Sequence, residues 1–318
     1  MVGTTTQIDY RLRPNKHAER TMLVDAFRRL RFAPIESYRY VGFGAIAFVD
    51  FKMVHRALAI KDMISIEDTT DSLEQRRFRR NKPMGNIDLR FGNSAAILPS
   101  IDFSRHSIVW LDYDNALNRS MANDLEAIAV NAVSGTFVAV TVAVAAPRNE
   151  LTGAKERLSR YSEEFPNHVA GLKPIDIQNG AKHSGFVRRT LDDLLRKAVQ
   201  DADAGKSDVL DRRDVYQVCF FRYKDGAPMM TVGWVIVARR HATIFAECQF
   251  DALHFYRPAD ESFDIRMPLV TPHEVREMER RLPQVAGPKT LLWIPQEERT
   301  AFEEMHRYMP NFGNIEAV

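Results

Sequence analysis

Short apolar runs alternate along the chain with longer segments in which apolar residues recur every three or four positions. Runs of the first kind predict strands, and they cover 38–43, 62–67, 86–93, 107–114 and 136–144. Segments of the second kind predict helices, and they cover 18–30, 45–58, 94–101 and 121–133. Strands that alternate with helices predict a parallel sheet covered on both faces, with the almost continuously apolar fifth strand at its centre.

The pattern changes towards the C-terminus, where two strands follow each other directly with no helix between them. Residues 215–240 hold two apolar strands around a Lys-Asp-Gly-Ala-Pro turn, and a helix-forming segment over 186–204 precedes them. Asp-Gly readily adopts hairpin backbone angles, so these strands predict an antiparallel hairpin. The fold class is therefore α/β, a doubly wound, mostly parallel sheet of seven strands that ends in an antiparallel hairpin.

The spacing of these elements also predicts the domain organisation. We expect a Rossmann-like domain over 1–240, with an inserted lid at about 146–214, and a C-terminal extension of helices and strand over 241–318 that packs on it. In the extension, Thr271, Pro272 and Glu274 form the pattern of a capping box with proline at the first helical position. A second helix is predicted over 295–309.

Composition and charge exclude several classes of protein. The 318 residues are 45% hydrophobic, and 44 Lys and Arg against 42 Asp and Glu leave a net charge of +2, which provides no global field for nucleic acid or an anionic membrane. Cys219 and Cys248 are too few for a disulfide framework and favour a reducing compartment. Because the first twenty residues lack the apolar core of a signal peptide and no 18-residue apolar run occurs, we expect a cytoplasmic protein.

A glycine turn follows the first strand, where doubly wound sheets bind ligands. Glycine lets a ligand approach the backbone closely, and Gly42-Phe43-Gly44 with Ala47 fits the G-x-G-x-x-A form of a dinucleotide site. Glu67 lies 23 residues after Gly44, at the end of the second strand, where a carboxylate can accept hydrogen bonds from ribose hydroxyls. These residues predict a ribose-bearing ligand and leave open whether it is a nicotinamide cofactor or a methyl donor.

Several of these runs resemble a known superfamily. YVGFGAIAFVDF, MISIE, FGNSAAILPSI and SIVWLDYD are similar to the sheet-edge motifs of class I S-adenosylmethionine-dependent methyltransferases, over about 18–240. With RLRPNKHAER and RRFRRNKP, they resemble a narrower group of bacterial proteins to which an O-methyltransferase activity is ascribed. The predicted hairpin agrees with this resemblance, since a nicotinamide domain normally continues with a parallel sixth strand. The resemblance implies S-adenosylmethionine as cofactor and methyl transfer to an oxygen or nitrogen of an unknown acceptor.

The resemblance also implies a set of site residues. Those implied to bind the donor are Tyr40, Gly42, Phe43, Gly44, Glu67, Asp68, Gly92, Asn93 and Asp112. At Gly92 and Asn93 the superfamily often has an acid that binds the adenine amine, and this chain lacks it. Asp112 and Asp114, which end the fourth strand, are the implied catalytic residues and would contact the substrate or remove its proton.

A metal ion and a histidine base are two further possibilities for the site. Asp112 matches the position of a metal ligand in magnesium-dependent catechol-type methyltransferases. The further Asp-Asn pair of those enzymes is missing from VTVAVAAPRNE, so no metal is predicted. His106 and His183 are alternative bases, although a lone histidine is more often structural.

A run of basic residues and two other classes of protein remain as alternatives. Phe78 is surrounded by the basic residues Arg76, Arg77, Arg79, Arg80 and Lys82. This run would suit a phosphate-bearing partner such as nucleic acid, or else form a solvated helix face.

The chain could also be a methyltransferase-fold binding or regulatory protein without catalysis in a multi-protein system, or an NAD-dependent oxidoreductase. Association with further copies of the chain or with a partner protein is left open.

Overall fold

The computed structural model of the protein describes residues 13–144, 150–178, 180–283 and 291–310. The strands are β1 (Arg39–Gly42), β2 (Asp62–Glu67), β3 (Ile87–Phe91), β4 (Ser107–Asp112), β5 (Thr136–Ala143), β6 (Arg213–Lys224), β7 (Pro228–Ala238) and β8 (Phe263–Asp264). The helices are α1 (Pro14–Phe27), α2 (Val49–Leu58), α3 (Ser72–Asn81), α4 (Ser94–Ile97), α5 (Arg119–Asn131), α6 (Glu150–Glu164), α7 (Pro166–Val169), α8 (Gly180–Asp203), α9 (Ala242–Glu247), α10 (Pro272–Glu279) and α11 (Gln296–Met305).

All eight strands form one sheet in the order β3-β2-β1-β4-β5-β7-β6-β8. The first five strands pair in parallel, and β7 pairs antiparallel with both β5 and β6. This order confirms the predicted parallel sheet with its antiparallel hairpin and is that of the class I methyltransferase fold. The prediction of seven strands omits β8, a two-residue strand of the C-terminal extension that pairs with β6 and is held there by the Arg222–Asp264 ion pair of 2.5 Å.

The hydrophobic core lies on both faces of the sheet. Successive side chains of a strand point to opposite faces, and β5 illustrates the result. Phe137 packs with residues of α1 and α2, whereas Val138 packs with residues of α5 and α8. This double burial explains why β5 reads as a continuous apolar run, and it confirms the predicted central position. Cys219 and Cys248 are buried and unpaired.

Two segments differ from what their patterns predict. The helix predicted over 45–58 begins only at Val49, because Ala45 and Phe48 adopt left-handed backbone angles and form a turn ahead of it. Within the predicted lid, residues 166–177 contain α7 and a short 3-10 turn, and Phe165 and Ile177 pack in the core. Residues 145–149 and 179 of the predicted lid lie outside the described residues, so a lid over the site stays a prediction.

The C-terminal extension follows its prediction more closely. Thr271 and Glu274 form the reciprocal capping box at the start of α10, and α11 lies within the second predicted helix. In the part of the chain that the structure describes, no helix is long and apolar enough to cross a membrane.

The start of α1 is held by a residue that lies far away in the sequence. The Asp225 carboxylate, in the turn between β6 and β7, accepts hydrogen bonds from the backbone N–H of Asn15 (3.1 Å) and of Lys16 (2.8 Å). The side chain of Asn15 in turn accepts a hydrogen bond from the backbone N–H of Met267 (2.8 Å). A carboxylate at a helix N-terminus satisfies N–H groups that have no partner in the helix and interacts well with the helix dipole. The hairpin and the extension therefore position α1 against the sheet.

We predict that Asp225→Ala lowers the free energy of unfolding by about 1–2 kcal/mol, because it removes the acceptor of two helix N-terminal N–H groups. Urea denaturation monitored by circular dichroism measures the change. Asp201→Ala is the matched control, since Asp201 forms an exposed pair with Lys197 on α8 and should leave stability unchanged. Equal losses in both variants would contradict the capping role.

Candidate functional site

The carboxyl ends of β1, β2 and β4 meet at a cavity of about 330 Å3, here called the crevice cavity. It lies where the strand order reverses between β1 and β4, the usual ligand position of doubly wound sheets. Residues that line it include Phe43, Asp68, Asn93, Ser94, Tyr113 and Asn118. Three of the predicted donor-binding residues, Phe43, Asp68 and Asn93, are therefore brought together here.

The glycine turn is packed against the protein itself. The Gly44 N–H donates to the Ser65 hydroxyl and to the Glu67 carboxylate, both at 3.0 Å. A Cβ on Gly44 would lie 2.5 Å from the Ser65 hydroxyl and from the Phe48 ring, and one on Gly42 would lie 2.9 Å from the Trp110 carbonyl oxygen. The sequence predicts room for a ligand at these glycines. In the structure the protein's own atoms occupy that space, so close packing requires glycine here.

Glu67 and Asp68 follow each other but have different surroundings. Glu67 is 5% exposed, and its carboxylate accepts hydrogen bonds from Gly44 and from the Ser65 hydroxyl (2.6 Å). Burial raises the pKa of Glu67 to about 7, although these hydrogen bonds act in the opposite direction. Asp68 is exposed and lines the crevice cavity. Glu67 thus holds the glycine turn, and its contact with a ribose stays a prediction.

Asp112 is part of a buried ion network instead of the cavity wall. Its carboxylate lies 2.7 Å from the Nζ of Lys16, which also lies 2.7 Å from Glu19 and 3.1 Å from the Tyr223 hydroxyl. The Lys16 ammonium stands over the Trp110 ring, 4.8 Å from its centroid. Burial lowers the pKa of Lys16, but attraction to Asp112 and Glu19 outweighs burial and raises it. Lys16 therefore stays charged, and Asp112 stays paired.

The same network continues towards α2. Glu19 accepts hydrogen bonds from the hydroxyls of Thr141 and Thr231, and Arg20 forms an ion pair with Asp50 at the start of α2. Tyr40 is fully buried beside these charges, and burial together with Asp50 and Asp112 raises the pKa of its hydroxyl. Tyr40, predicted to bind the donor, belongs to this network and does not line the crevice cavity.

A second, smaller cavity lies beside the turn between β6 and β7. This hairpin cavity, of about 150 Å3, is lined by residues that include Arg13, Asp114, Tyr223, Asp225 and Met229. The residue before Asp114, Tyr113, lines the crevice cavity instead. The chain leaving β4 thus places the consecutive side chains of Tyr113 and Asp114 in two different cavities.

The two candidate histidines lie elsewhere. His183 is buried, its Nε2 lies 2.9 Å from the Tyr161 hydroxyl, and burial lowers its pKa to about 3. His106 packs against the Tyr38 ring. Neither lines the crevice cavity or the hairpin cavity. Among the described residues, no group of three or more His, Cys, Asp or Glu side chains could hold a metal ion.

The basic run forms one exposed face of α3. Its four arginines are exposed, whereas Lys82 donates to the backbone carbonyls of Gly85 (3.3 Å) and Ile87 (3.1 Å). Phe78 is buried against Phe48 and Phe91 and cannot stack on a base. Contact of the exposed arginines with nucleic acid stays a prediction, and Phe78 would take no part in it.

Sequence reasoning missed several residues around the site. Lys16, Glu19 and Arg20 lie in the RLRPNKHAER stretch, and their i, i+3, i+4 spacing within an apolar helix was the signal that they share a buried face. Asp124 lies between Met121 and Leu125 on the apolar face of α5, and this position in the sequence already indicated a buried acid. A larger cavity of about 560 Å3 between α5, α7 and α8 contains none of the predicted residues.

The strand order and the crevice place the chain in the class I methyltransferase fold. Residues 8–317 match the model of the family described as "Putative O-methyltransferase", and the chain belongs to this family. A comparison with curated proteins found no match.

Solved structures resemble the chain only distantly. Spermidine synthase from Thermotoga maritima is 9% identical with a TM-score of 0.40, over 78% of this chain and 68% of that one. LepI in complex with SAM is 8% identical with a TM-score of 0.40, over 66% of this chain and 46% of that one. An O-methyltransferase family protein from Burkholderia thailandensis is 10% identical with a TM-score of 0.33, over 69% of this chain and 56% of that one. The chain thus spans less than two thirds of the last two, and similarity this weak says nothing about function.

We predict that Gly44→Ala lowers the free energy of unfolding by about 1–3 kcal/mol, because the new Cβ must displace the Phe48 ring and the Ser65 hydroxyl. Gly85→Ala is the control, since no atom lies within 4 Å of a Cβ at that position. Chemical denaturation of both variants measures the difference. If the Gly44→Ala protein is as stable as the Gly85→Ala protein, the turn can accommodate a Cβ at residue 44 and the prediction is wrong.

The raised pKa of Glu67 predicts a specific pH dependence of stability. The folded protein holds a proton on Glu67 up to about pH 7, whereas the unfolded chain releases it near the ordinary value of 4.5. The contribution of Glu67 to stability is thus full below about pH 4.5 and is lost as the pH rises to about 7. Each unit of pKa difference corresponds to about 1.4 kcal/mol.

Glu67→Gln keeps an oxygen that accepts from Gly44 and Ser65 but cannot ionise. We therefore expect the variant and the natural protein to be equally stable at pH 4, and the variant to be more stable at pH 8. Urea denaturation at the two pH values tests this. A variant that is less stable at both values would mean that the ionised carboxylate stabilises the turn.

Proposed function

We propose that the protein binds S-adenosylmethionine in the crevice cavity and transfers its methyl group to an oxygen or nitrogen of an acceptor in the hairpin cavity. The observation that carries this proposal is the crevice cavity itself, at the ends of β1, β2 and β4 in a member of this family. Its volume of about 330 Å3 lies at the lower end of the range for small-molecule sites, about 300–1,000 Å3.

The lining of the crevice cavity fits the adenosyl part of this donor. Asp68 offers an exposed carboxylate that accepts hydrogen bonds from ribose hydroxyls. The rings of Phe43 and Tyr113, with centroids 5.2 Å apart, offer apolar contact to a purine. Glu67 keeps the neighbouring turn in place through Gly44. An acid for the diol and aromatic rings for the base are what a nucleoside needs.

The two acids near the end of β4, Asp112 and Asp114, have different roles in the proposed reaction. When bound, the donor supplies a methyl group already activated by a positively charged sulfur, so the protein mainly aligns the reactants. Asp112 forms an ion pair with Lys16 and lines neither cavity, whereas Asp114 lines the hairpin cavity. In our proposal Asp114 accepts the proton that the acceptor loses as its oxygen or nitrogen bonds to the methyl carbon and the carbon–sulfur bond breaks.

A donor-binding protein without catalysis is the second candidate function. The ion pair of Asp112 with Lys16 favours it, because it removes one of the two predicted catalytic carboxylates from the reaction. An NAD-dependent oxidoreductase is less favoured, since β7 runs antiparallel to β5 where a nicotinamide domain has a parallel strand.

Calorimetric titration with S-adenosylhomocysteine, S-adenosylmethionine and NAD tests the proposal. We expect both adenosyl compounds to bind and NAD to give no measurable heat. Asp68→Asn should weaken S-adenosylhomocysteine binding about tenfold or more, because a charged acceptor is lost. Asp88→Asn, an exposed acid on β3 outside the cavity, should leave the affinity unchanged.

Binding of NAD alone, or of none of the three compounds, would refute the proposal. Tight binding of S-adenosylmethionine without any methylated product across pools of candidate acceptors would favour the second candidate function.

A further inference from the structure

A buried acid of α5 controls two hydroxyl groups of the crevice cavity. Asp124 is 0% exposed, and its Oδ2 accepts hydrogen bonds from the hydroxyls of Ser94 (2.6 Å) and Tyr113 (2.5 Å). Both of these residues line the crevice cavity, Ser94 at the start of α4 and Tyr113 in the chain after β4. Burial raises the pKa of Asp124, and the two hydrogen bonds from Ser94 and Tyr113 oppose this.

This arrangement decides what the two hydroxyls can offer a ligand. The Oδ2 of Asp124 lies within hydrogen-bond distance of both hydroxyls, so Ser94 and Tyr113 each donate their single proton to it. Their oxygens keep lone pairs and can act towards the cavity only as acceptors. The second oxygen of Asp124, Oδ1, is buried without a hydrogen-bond partner among the described residues, and Asp124 itself does not line the cavity.

The neighbouring amides have the opposite character. The Oδ1 of Asn93 accepts a hydrogen bond from the backbone N–H of Ala95 (2.9 Å) and caps α4. The Oδ1 of Asn118 accepts one from the backbone N–H of Met121 (3.2 Å) and caps α5. Because each amide oxygen is used by a helix start, the NH2 group is what each side chain can offer to the cavity.

The geometry points to a crevice cavity that selects a 6-aminopurine through acceptors at Ser94 and Tyr113 and a donor at Asn93. The amino group of adenine donates to the two hydroxyl oxygens, and its ring nitrogen N1 accepts from the Asn93 amide. A 6-oxopurine presents a carbonyl oxygen and an N1–H at the same edge. Its carbonyl oxygen would face the two hydroxyl oxygens, which are also acceptors, and its N1–H would face the NH2 group of Asn93, which is also a donor. Asp124 acts as a positioning residue, since it orients both hydroxyls without touching the base.

This inference rests on the proposed function, because it assumes an adenosyl ligand in the crevice cavity. It also accounts for the missing acid after β3. The place that the resemblance assigns to an adenine-binding acid holds Asn93, and the acidic group comes instead from α5 and acts through Ser94 and Tyr113.

Titration with S-adenosylhomocysteine and with its deaminated analogue S-inosylhomocysteine tests the inference. The two ligands differ only at the purine edge that these residues would read. We expect the natural protein to bind the amino compound about 10- to 100-fold more tightly, in line with the discrimination that paired base contacts give.

Three variants identify the residues responsible. Ser94→Ala removes one acceptor and should reduce the ratio of the two affinities several-fold. Asp124→Asn should bring the ratio towards one, because its amide lets a hydroxyl turn its proton to the cavity. Ser120→Ala is the matched control, since Ser120 also lines the cavity but forms no hydrogen bond with Asp124, and it should leave the ratio unchanged. Ser94→Ala keeps the test meaningful if Asp124→Asn fails to fold.

Equal affinity of the natural protein for the two compounds would overturn the inference and leave the proposed function standing. A strong preference that survives in Ser94→Ala and in folded Asp124→Asn would also overturn it, since other residues would then read the base. Absence of binding by both compounds would overturn the proposed function itself, and the inference with it.

Discussion

The ion pairs of Lys16 are the interaction on which the rest of the site depends. A buried ammonium is costly unless charges and hydrogen bonds compensate it, and Lys16 has carboxylates at 2.7 Å on two sides, the Tyr223 hydroxyl and the Trp110 ring. These partners come from α1, β4 and β6, so the pairs form only when the helix and the strands are docked together. They hold α1 across the sheet and hold Asp112 away from both cavities.

The short stretch after Leu111 shows how this constraint shapes the site. Asp112 joins the ion network, Tyr113 reaches the crevice cavity and Asp114 reaches the hairpin cavity. Three consecutive residues thus provide a structural acid, a ring that lines the crevice cavity and an exposed acid. Asp112 itself is paired with Lys16 and lines neither cavity.

Much of the fold could be predicted from residue patterns, because burial imposes a period on each element. The alternation of strands and helices, the apolar β5, the Asp-Gly hairpin and the capping box at Thr271 all follow from local physical rules. The patterns failed where the deciding contact is distant. The start of α2 is delayed by the left-handed Phe48, and β8 exists only because the extension returns to pair with β6.

The sequence by itself determined the class of fold, the edge of the sheet that carries the site, and three residues that line its cavity, Phe43, Asp68 and Asn93. Only the tertiary structure decided what each polar group does there. It paired Asp112 with Lys16, used Glu67 to hold Gly44, and brought Asp124 under Ser94 and Tyr113. The physical reason is that periodicity reports whether a position is buried, whereas the role of a buried charge depends on which distant group it meets.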